Sequence, residues 1–177
     1  MTKADREKWD ARYQKRLGRL TPASVLSRYC RLAPAGRALD IACGNGRNSL
    51  YLAEQGFAVD AVDISSVATM QLAARRSDIN VICADLDLWD IPPQCYSLIV
   101  NIRFLDRRLF PQIREGLLSG GVLIFESFMG EEHPHYCLKP NELLRAFREL
   151  RVVYYEEKAT PPSEKFDQVA SLVAVKN

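Results

Sequence analysis

The sequence predicts a doubly wound α/β fold, in which a mostly parallel sheet carries helices on both faces. Three observations predict it: short apolar runs alternate with helical segments, a glycine-rich turn follows the first run, and two strand-like runs come last. With 177 residues, of which 47% are hydrophobic, the chain has room for one such domain. We expect a helical cap over residues 1–33 and a core over residues 34–177.

The apolar runs have the length and composition of strands. They are preceded by a charged segment over Lys3–Leu17 and by a second helical segment after Thr21 and Pro22. Strands are then predicted at Ala38–Ile41, Ala58–Val62, Val81–Ala84, Ser97–Ile102 and Val122–Phe125.

The segments between these strands carry residues that begin or end helices. Gly56 is a natural left-handed cap for the helix after the first strand, and Ser65 and Ser66 can cap the next helix. Pro111 suits the first turn of the helix predicted in DRRLFPQIREGLL. A last short helix is expected over Asn141–Phe147.

The final third of the chain has a different pattern. Two strand-like runs, Leu150–Glu157 and Val169–Lys176, are joined by a connection with two prolines that is too short for a helix. Strand, turn and strand predict an antiparallel pair at the end of an otherwise parallel sheet.

Charge and cysteine content exclude several classes of protein. The formal charge of +2 does not favour nucleic acid, and the basic residues near the N-terminus are expected to form a solvated helix face. No run approaches the ~20 apolar residues of a membrane span, and the charged N-terminus lacks a signal-peptide core, so we expect a cytoplasmic protein. Five scattered cysteines without a C-x-x-C pair predict reduced thiols.

A glycine-rich turn follows the first predicted strand. Gly44 and Gly46 can adopt backbone angles that other residues avoid, and they let a ligand approach the main chain closely. Ligands of open parallel sheets bind beyond the carboxyl ends of the strands. Asp40, just before this turn, would repel a pyrophosphate but attract ammonium and sulfonium groups. The turn therefore favours S-adenosylmethionine (SAM) over NAD or FAD.

Two further carboxylates end the next two predicted strands. Asp63 has the spacing of an acid that accepts hydrogen bonds from both ribose hydroxyls. Asp85 is placed to receive the adenine amino group, with the Leu86 N–H meeting a ring nitrogen. Ile64 and Leu86 would supply apolar faces for the purine. Three acids at successive strand ends should converge on one crevice.

These motifs resemble the class I SAM-dependent methyltransferases over nearly the whole chain. The resemblance is carried by D-x-A-C-G-x-G-R-N from Asp40, D-I-S from Asp63, A-D-L from Ala84 and the run NIRFLDRRLFP. Within that superfamily, EKWDARY, GRNSLYLAEQG, GGVLIFESF and LKPNELLRAF resemble the small bacterial branch that includes tellurite-resistance-type methyltransferases.

The resemblance implies one methyltransferase domain with a Rossmann-like seven-stranded sheet. Its strand order would be 3-2-1-4-5-7-6, with the last strand antiparallel. It also implies that SAM is converted to S-adenosylhomocysteine. Besides Asp40 and Gly46, the cofactor site would contain Ala42, Gly44, Asp63, Ile64, Asp85, Leu86 and Asn101.

Three residues flanking this site have two open interpretations each. In similar proteins an aromatic pair such as Trp9 and Tyr13, four residues apart on a helix, folds over the methionine end of SAM; the alternative is a helix stapled to the core. Arg47 either meets the methionine carboxylate or merely begins the next helix.

Two positions depart from the family pattern. Ser97 stands where an aspartate usually follows an aromatic residue at the start of the fourth strand, which puts the local loop geometry in doubt. Asn141 replaces a glycine, and asparagine is the other residue that tolerates left-handed angles.

The acceptor side is expected between the N-terminal helix and the loops after the fourth and fifth strands. Arg103 either binds an anionic acceptor or is a surface arginine. His133, His135 and Cys137 form an H-x-H-x-C run, but without a second ligand cluster we expect no metal. A substrate-facing role for His133 stays open.

The sequence therefore predicts methyl transfer from SAM to a small molecule that is soft or anionic. Alignment for in-line displacement would supply the acceleration, and no catalytic residue is assigned. Two alternatives stay open: a SAM-binding sensor or partner protein without turnover, and an RNA methyltransferase that uses the basic residues Arg12, Lys15 and Arg16.

Overall fold

The sheet has the strand order that the resemblance implies. In the computed structural model, which describes residues 3–15, 20–131, 133–161 and 166–177, seven strands lie in the order β3-β2-β1-β4-β5-β7-β6. They are β1 (Arg37–Ile41), β2 (Ala58–Asp63), β3 (Asn80–Cys83), β4 (Tyr96–Ile102), β5 (Leu117–Met129), β6 (Arg151–Ala159) and β7 (Gln168–Val175). Strands β1 to β5 pair in parallel, and β7 runs antiparallel to β5 and β6. The predicted order and orientation are confirmed.

Within the described residues, six α-helices surround the sheet. They are α1 (Lys3–Lys15), α2 (Ser24–Tyr29), α3 (Arg47–Glu54), α4 (Ser66–Arg75), α5 (Leu109–Gly116) and α6 (Glu142–Ala146). Residues 16 and 17, predicted to continue the first helix, lie outside the described residues. None of the helices in the described ranges is long and apolar enough to cross a bilayer.

Most of the predicted helix signals are confirmed. Ser65 caps α4 by accepting a hydrogen bond from the Ala68 N–H, and Gly56 is left-handed after α3, with a φ of 91°. Asn141 is also left-handed, with a φ of 58°, and precedes α6. The prediction that helix α5 would include Leu117 was wrong, because this buried residue pairs with Tyr96 and begins β5.

Each face of the sheet carries its own apolar core. One core joins Leu39, Ile99 and Phe125 to side chains of α5 and α6. The other joins Ala38, Val100 and Ile124 to α2, α3 and α4; we call this side of the sheet the α3 face. Because β1, β4 and β5 are covered on both faces, their apolar residues form nearly continuous runs.

Helix α1 differs from the other helices that pack on the sheet. None of its residues is buried, and it lies mainly against α4. A helix without a buried apolar face gains little from packing. Its position therefore depends on a few specific contacts, and these lie at the carboxyl edge of the sheet.

Candidate functional site

Three carboxylates come together at the carboxyl edge of the sheet, as the sequence predicted. Asp40 lies in β1 and Asp63 ends the neighbouring β2, while Asp85 follows β3 by two residues. Since β1, β2 and β3 are adjacent and parallel, their carboxyl ends meet at one edge. The turn after β1 lies at this same edge.

The turn after β1 is built from left-handed residues. Ala42, Gly44 and Gly46 have φ angles of 52°, 57° and 88°. A Cβ on Gly46 would lie 2.2 Å from a methyl carbon of Leu72, and a Cβ on Gly44 would lie 2.3 Å from the Tyr13 hydroxyl. The backbone angle favours glycine at both positions, and at Gly46 the buried Leu72 side chain also leaves no space for a Cβ. The left-handed angle of Ala42 has no counterpart in the glycine pattern, so the sequence did not predict it.

Asp63 fastens this turn to the second strand. One of its oxygens accepts the Gly44 N–H at 2.8 Å, and the other accepts the Ser65 N–H at 2.8 Å. Burial raises the pKa of this carboxyl group, and the backbone hydrogen bonds oppose that shift. Each oxygen keeps a second lone pair, so the side chain can hold the loop and still accept from ligand hydroxyls.

Asp40 is almost completely buried, although it lies at the edge of the sheet where a ligand is expected. It is 1% exposed and accepts a 2.6 Å hydrogen bond from the Ser49 hydroxyl. Burial raises its pKa to about 7, against the opposing effects of Ser49 and of Arg47. A carboxyl group that is half-protonated near neutral pH gains its charge when a cation arrives beside it.

Ile64 and Asp85 line one cleft together, and its role as an adenine site stays a prediction. The cleft has a volume of about 250 Å³, and Lys3 and Arg6 of helix α1 form its other wall. Leu86 is buried next to Asp85. Asp85 also accepts the Asp87 N–H at 2.9 Å, which fixes the orientation of its carboxylate.

Helix α1 is fastened to helix α4 through contacts that were not predicted from the sequence. Asp10 accepts hydrogen bonds from the Ser65 hydroxyl at 2.5 Å, the Val67 N–H at 3.2 Å and the Ser66 hydroxyl at 3.3 Å. The Gln71 side chain donates to the backbone carbonyl of residue 13 at 3.2 Å. Asp10 thus joins α1 to the N-terminus of α4.

Trp9 and Tyr13 lie on the side of α1 that approaches the turn. Their ring centroids are 6.1 Å apart, and the Tyr13 hydroxyl lies over Gly44. Burial, followed by the charge of Asp63, raises the pKa of Tyr13 far above its ordinary value. Neither ring belongs to an apolar core, and the role of the pair at the methionine end of SAM stays a prediction. Arg47 begins α3, which agrees with one of its two predicted roles.

Asn101 and Arg103 mark the end of β4. Asn101 is buried and donates its amide to the Phe104 carbonyl at 2.7 Å, so it shapes the following turn. Arg103 has a left-handed φ of 64°. Its Nε lies 3.4 Å from Oε1 of Glu126 in β5, and its guanidinium lies 4.4 Å from the centroid of the Phe128 ring. Arg103 is therefore not a free surface arginine.

Glu126 was not singled out from the sequence, although the signal was present. It is a charged residue inside the apolar run GGVLIFESF, and it is only 6% exposed. Its second oxygen accepts a 2.8 Å hydrogen bond from the Ser171 hydroxyl. A buried acid with two dedicated partners has to be explained by structure or by function.

The predicted histidine and cysteine run is split by burial. His133 and His135 are exposed, whereas Cys137 is fully buried. His133 lies 5.5 Å from the Phe166 ring, which in turn lies 5.1 Å from Phe128. Within the described ranges, no group of three or more His, Cys, Asp or Glu side chains is placed to hold a metal ion.

Comparison with known proteins gives this architecture a family. A family model described as "Tellurite resistance protein TehB" matches residues 11–168. The chain belongs to the TehB family. The matched region includes Tyr13, the glycine turn, all three acids and the Arg103–Glu126 pair. Trp9 and Asp10 lie just before it.

TehB relatives are also similar in sequence and in fold. The "Probable S-adenosyl-L-methionine-dependent methyltransferase TehB" of two Haemophilus influenzae strains is 27% identical over 138 residues, which cover 68% of this chain and 48% of the relative. The chain thus spans about half the length of these curated relatives. The crystal structure of Haemophilus influenzae TehB superposes with a TM-score of 0.71 at 22% identity, covering 96% of this chain and 67% of that one. A TehB-like SAM-dependent methyltransferase from Corynebacterium glutamicum also gives 0.71, at 18% identity, covering 99% and 100%.

Proposed function

We propose that this chain is a SAM-dependent methyltransferase that acts on a small acceptor. The observation that carries the proposal is the convergence of Asp40, Asp63 and Asp85 on a glycine turn covered by Tyr13, in a chain of the TehB family. The names of the TehB relatives support the same cofactor.

The donor site would use each acid differently. Asp63 would accept the ribose hydroxyls with the lone pairs that Gly44 and Ser65 leave available. Asp85 and Ile64 would hold the adenine in their shared cleft. Asp40 would balance the cationic end of the donor, because burial keeps its pKa near 7 and a neighbouring cation favours its charged form.

The chain's own contribution to the reaction would be alignment and exclusion of water. SAM supplies a methyl group on a sulfonium; the acceptor lone pair forms the new bond while the carbon–sulfur electron pair returns to sulfur, leaving neutral S-adenosylhomocysteine. Helix α1 covers the turn through Tyr13 and excludes solvent from it. A soft acceptor needs no general base, and a protonated acceptor would release its proton to solvent. No residue is assigned as a catalytic base.

The test combines binding with turnover. Isothermal titration should detect binding of SAM and of S-adenosylhomocysteine, but no binding of NAD or FAD. Adenosylhomocysteine release should then follow when a competent acceptor is added. Binding of a nicotinamide or flavin nucleotide in place of SAM would overturn the proposal. SAM binding without turnover of any acceptor would favour the sensor or partner protein, the first of the two alternatives.

A further inference from the structure

Helix α1 crosses the carboxyl ends of β1, β2 and β3, and its contacts follow these strands in reverse order along the chain. Tyr13 lies over the turn after β1, and Asp10 accepts hydrogen bonds from the residues that follow β2. Lys3 and Arg6 face Asp85, after β3, across the cleft between them. One turn of an α-helix rises ~5.4 Å, and neighbouring strands lie ~4.8 Å apart. The helix therefore passes about one strand end with each of its turns.

Arg6 belongs to the row of side chains on α1 that is directed at this edge of the sheet. It precedes Asp10 by four residues, and Asp10 precedes Tyr13 by three, and this spacing places all three on one side of a helix. From residue 6 to residue 13 the helix advances ~10 Å, which is about the distance from β1 to β3, two strand spacings apart. The row thus reaches from the glycine turn to the cleft beside Asp85.

The cleft between α1 and the end of β3 has room for one part of a ligand. Its volume of about 250 Å³ lies below the ~300–1,000 Å³ of whole small-molecule sites. Ile64 gives it an apolar wall and Asp85 a hydrogen-bond acceptor. Under the proposed function, the adenine ring of SAM would occupy it.

The face of the ring opposite Ile64 is left to helix α1. The sequence predicted that Leu86 would cover this second face, but the Leu86 side chain is 4% exposed and packs into the core with α5 and α6. The cleft is lined by Lys3 and Arg6 on the side of α1. Both side chains are exposed, so a ligand can reach them.

Arg6 and Lys3 differ in what they offer to a purine. The Lys3 ammonium lies 3.8 Å from the Glu7 carboxylate, and an ammonium is a compact and strongly hydrated charge. Arg6 carries a planar, delocalised and more weakly hydrated guanidinium, which stacks on aromatic rings and on nucleobases. Such stacking needs a π face and no anion. An uncharged adenine therefore suits Arg6 better than it suits Lys3.

We propose that Arg6 is a donor-binding residue, whose guanidinium stacks on the face of the adenine ring opposite Ile64. The proposal rests on the proposed function and deepens it. Helix α1 would then contact the donor at both ends, through Tyr13 at the glycine turn and through Arg6 at the base.

The first experiment measures binding of two ligands that share the adenine ring. They are SAM and 5′-methylthioadenosine, which lacks the amino acid part of SAM, and both are titrated by calorimetry. Arg6→Ala should raise both Kd values by a similar factor, about three- to tenfold, because the lost contact is to the base. Lys8→Ala is the matched control, since Lys8 is an exposed cation of the same helix, and it should leave both Kd values within about twofold.

Two results would contradict the stacking of Arg6 on adenine. One is an unchanged SAM Kd in Arg6→Ala, and the other is a loss of affinity for SAM without a loss for methylthioadenosine. If the wild-type protein binds neither ligand, the proposed function itself fails.

The second experiment separates stacking from docking of the helix, because the charge of Arg6 also acts on Asp10. Without ligand, trypsin should cleave Arg6→Ala after Arg12 at the wild-type rate, since docking is unchanged. A cleavage rate that rises as much as the affinity falls would show that Arg6 acts only through docking. Arg6→Lys keeps the charge without the planar group and should still weaken SAM binding at least about twofold; full affinity in this variant would refute stacking.

Discussion

Replacing Asp10 with alanine should release helix α1 from the rest of the protein. Asp10 accepts three hydrogen bonds, from the side chains of Ser65 and Ser66 and from the Val67 N–H. A hydrogen bond to a charged group contributes about 1.5–3 kcal/mol at most, and exposure and salt reduce that figure for a half-buried carboxylate. We take about 1–2 kcal/mol for the three together, which corresponds to about 5–30-fold in the fraction of undocked helix.

The assay is limited trypsin digestion within α1. Cleavage after Lys8 or Arg12 requires this helix to open, because proteases act on locally unfolded chain. In the Asp10→Ala variant, the cleavage rate should rise about 5–30-fold, and SAM should protect less than it protects the wild type. Glu7→Ala is the control, since Glu7 is an exposed acid on the same helix that pairs with Lys3.

Docking of helix α1 should also depend on pH. Burial works against the charge of Asp10, but the hydrogen bonds from Ser65, Val67 and Ser66 outweigh it, so its pKa lies below the ordinary value. A lowered pKa stabilises docking above the ordinary aspartate pKa of about 4, and that stabilisation is lost as the pH falls through the lowered value. Digestion by an acid-active protease should therefore stay slow down to about pH 4. Equal cleavage of the Asp10→Ala and Glu7→Ala variants would refute the role of Asp10.

Three further outcomes follow from the donor site. Burial raises the pKa of Asp40 to about 7, so the folded state loses stability from this group as the pH rises toward that value. A cation bound beside the carboxylate reverses this loss. The SAM-induced rise in Tm should therefore increase from pH 6 to pH 7.5, and Asp40→Asn should abolish the increase. Asp63→Ala should weaken SAM binding by about 1.5–3 kcal/mol in titration and also lower the Tm, since it leaves the N–H groups of Gly44 and Ser65 unpaired. Gly46→Ala should lower the Tm by several degrees, through the clash with Leu72 and the φ of 88°; an unchanged Tm would contradict this account of the turn.

The order of strands and helices could be predicted because it depends on local signals. Apolar runs, Gly56, Ser65 and Asn141 each act on their own few residues, and all of them appear in the sequence. The strand-tip acids could be predicted for the same reason, since each follows directly from where its strand ends. Sequence reasoning was wrong at Leu117, because pairing with Tyr96 across the sheet decides its conformation.

The contacts between distant segments could not be predicted. Asp10 caps a helix that begins 56 residues later, and no local pattern on α1 marks that partner. Glu126 is different, since a charge in a buried strand is visible in the sequence, but its pairing with Arg103 depends on the register of β4 against β5.

Helix α1 also offers a route to altered selectivity. Because its residues contribute nothing to either core, its outward positions can be randomised without removing any buried apolar surface. A library that keeps Trp9, Asp10 and Tyr13 and varies only the outward positions would test many rims around the same proposed donor site at nearly constant folding stability.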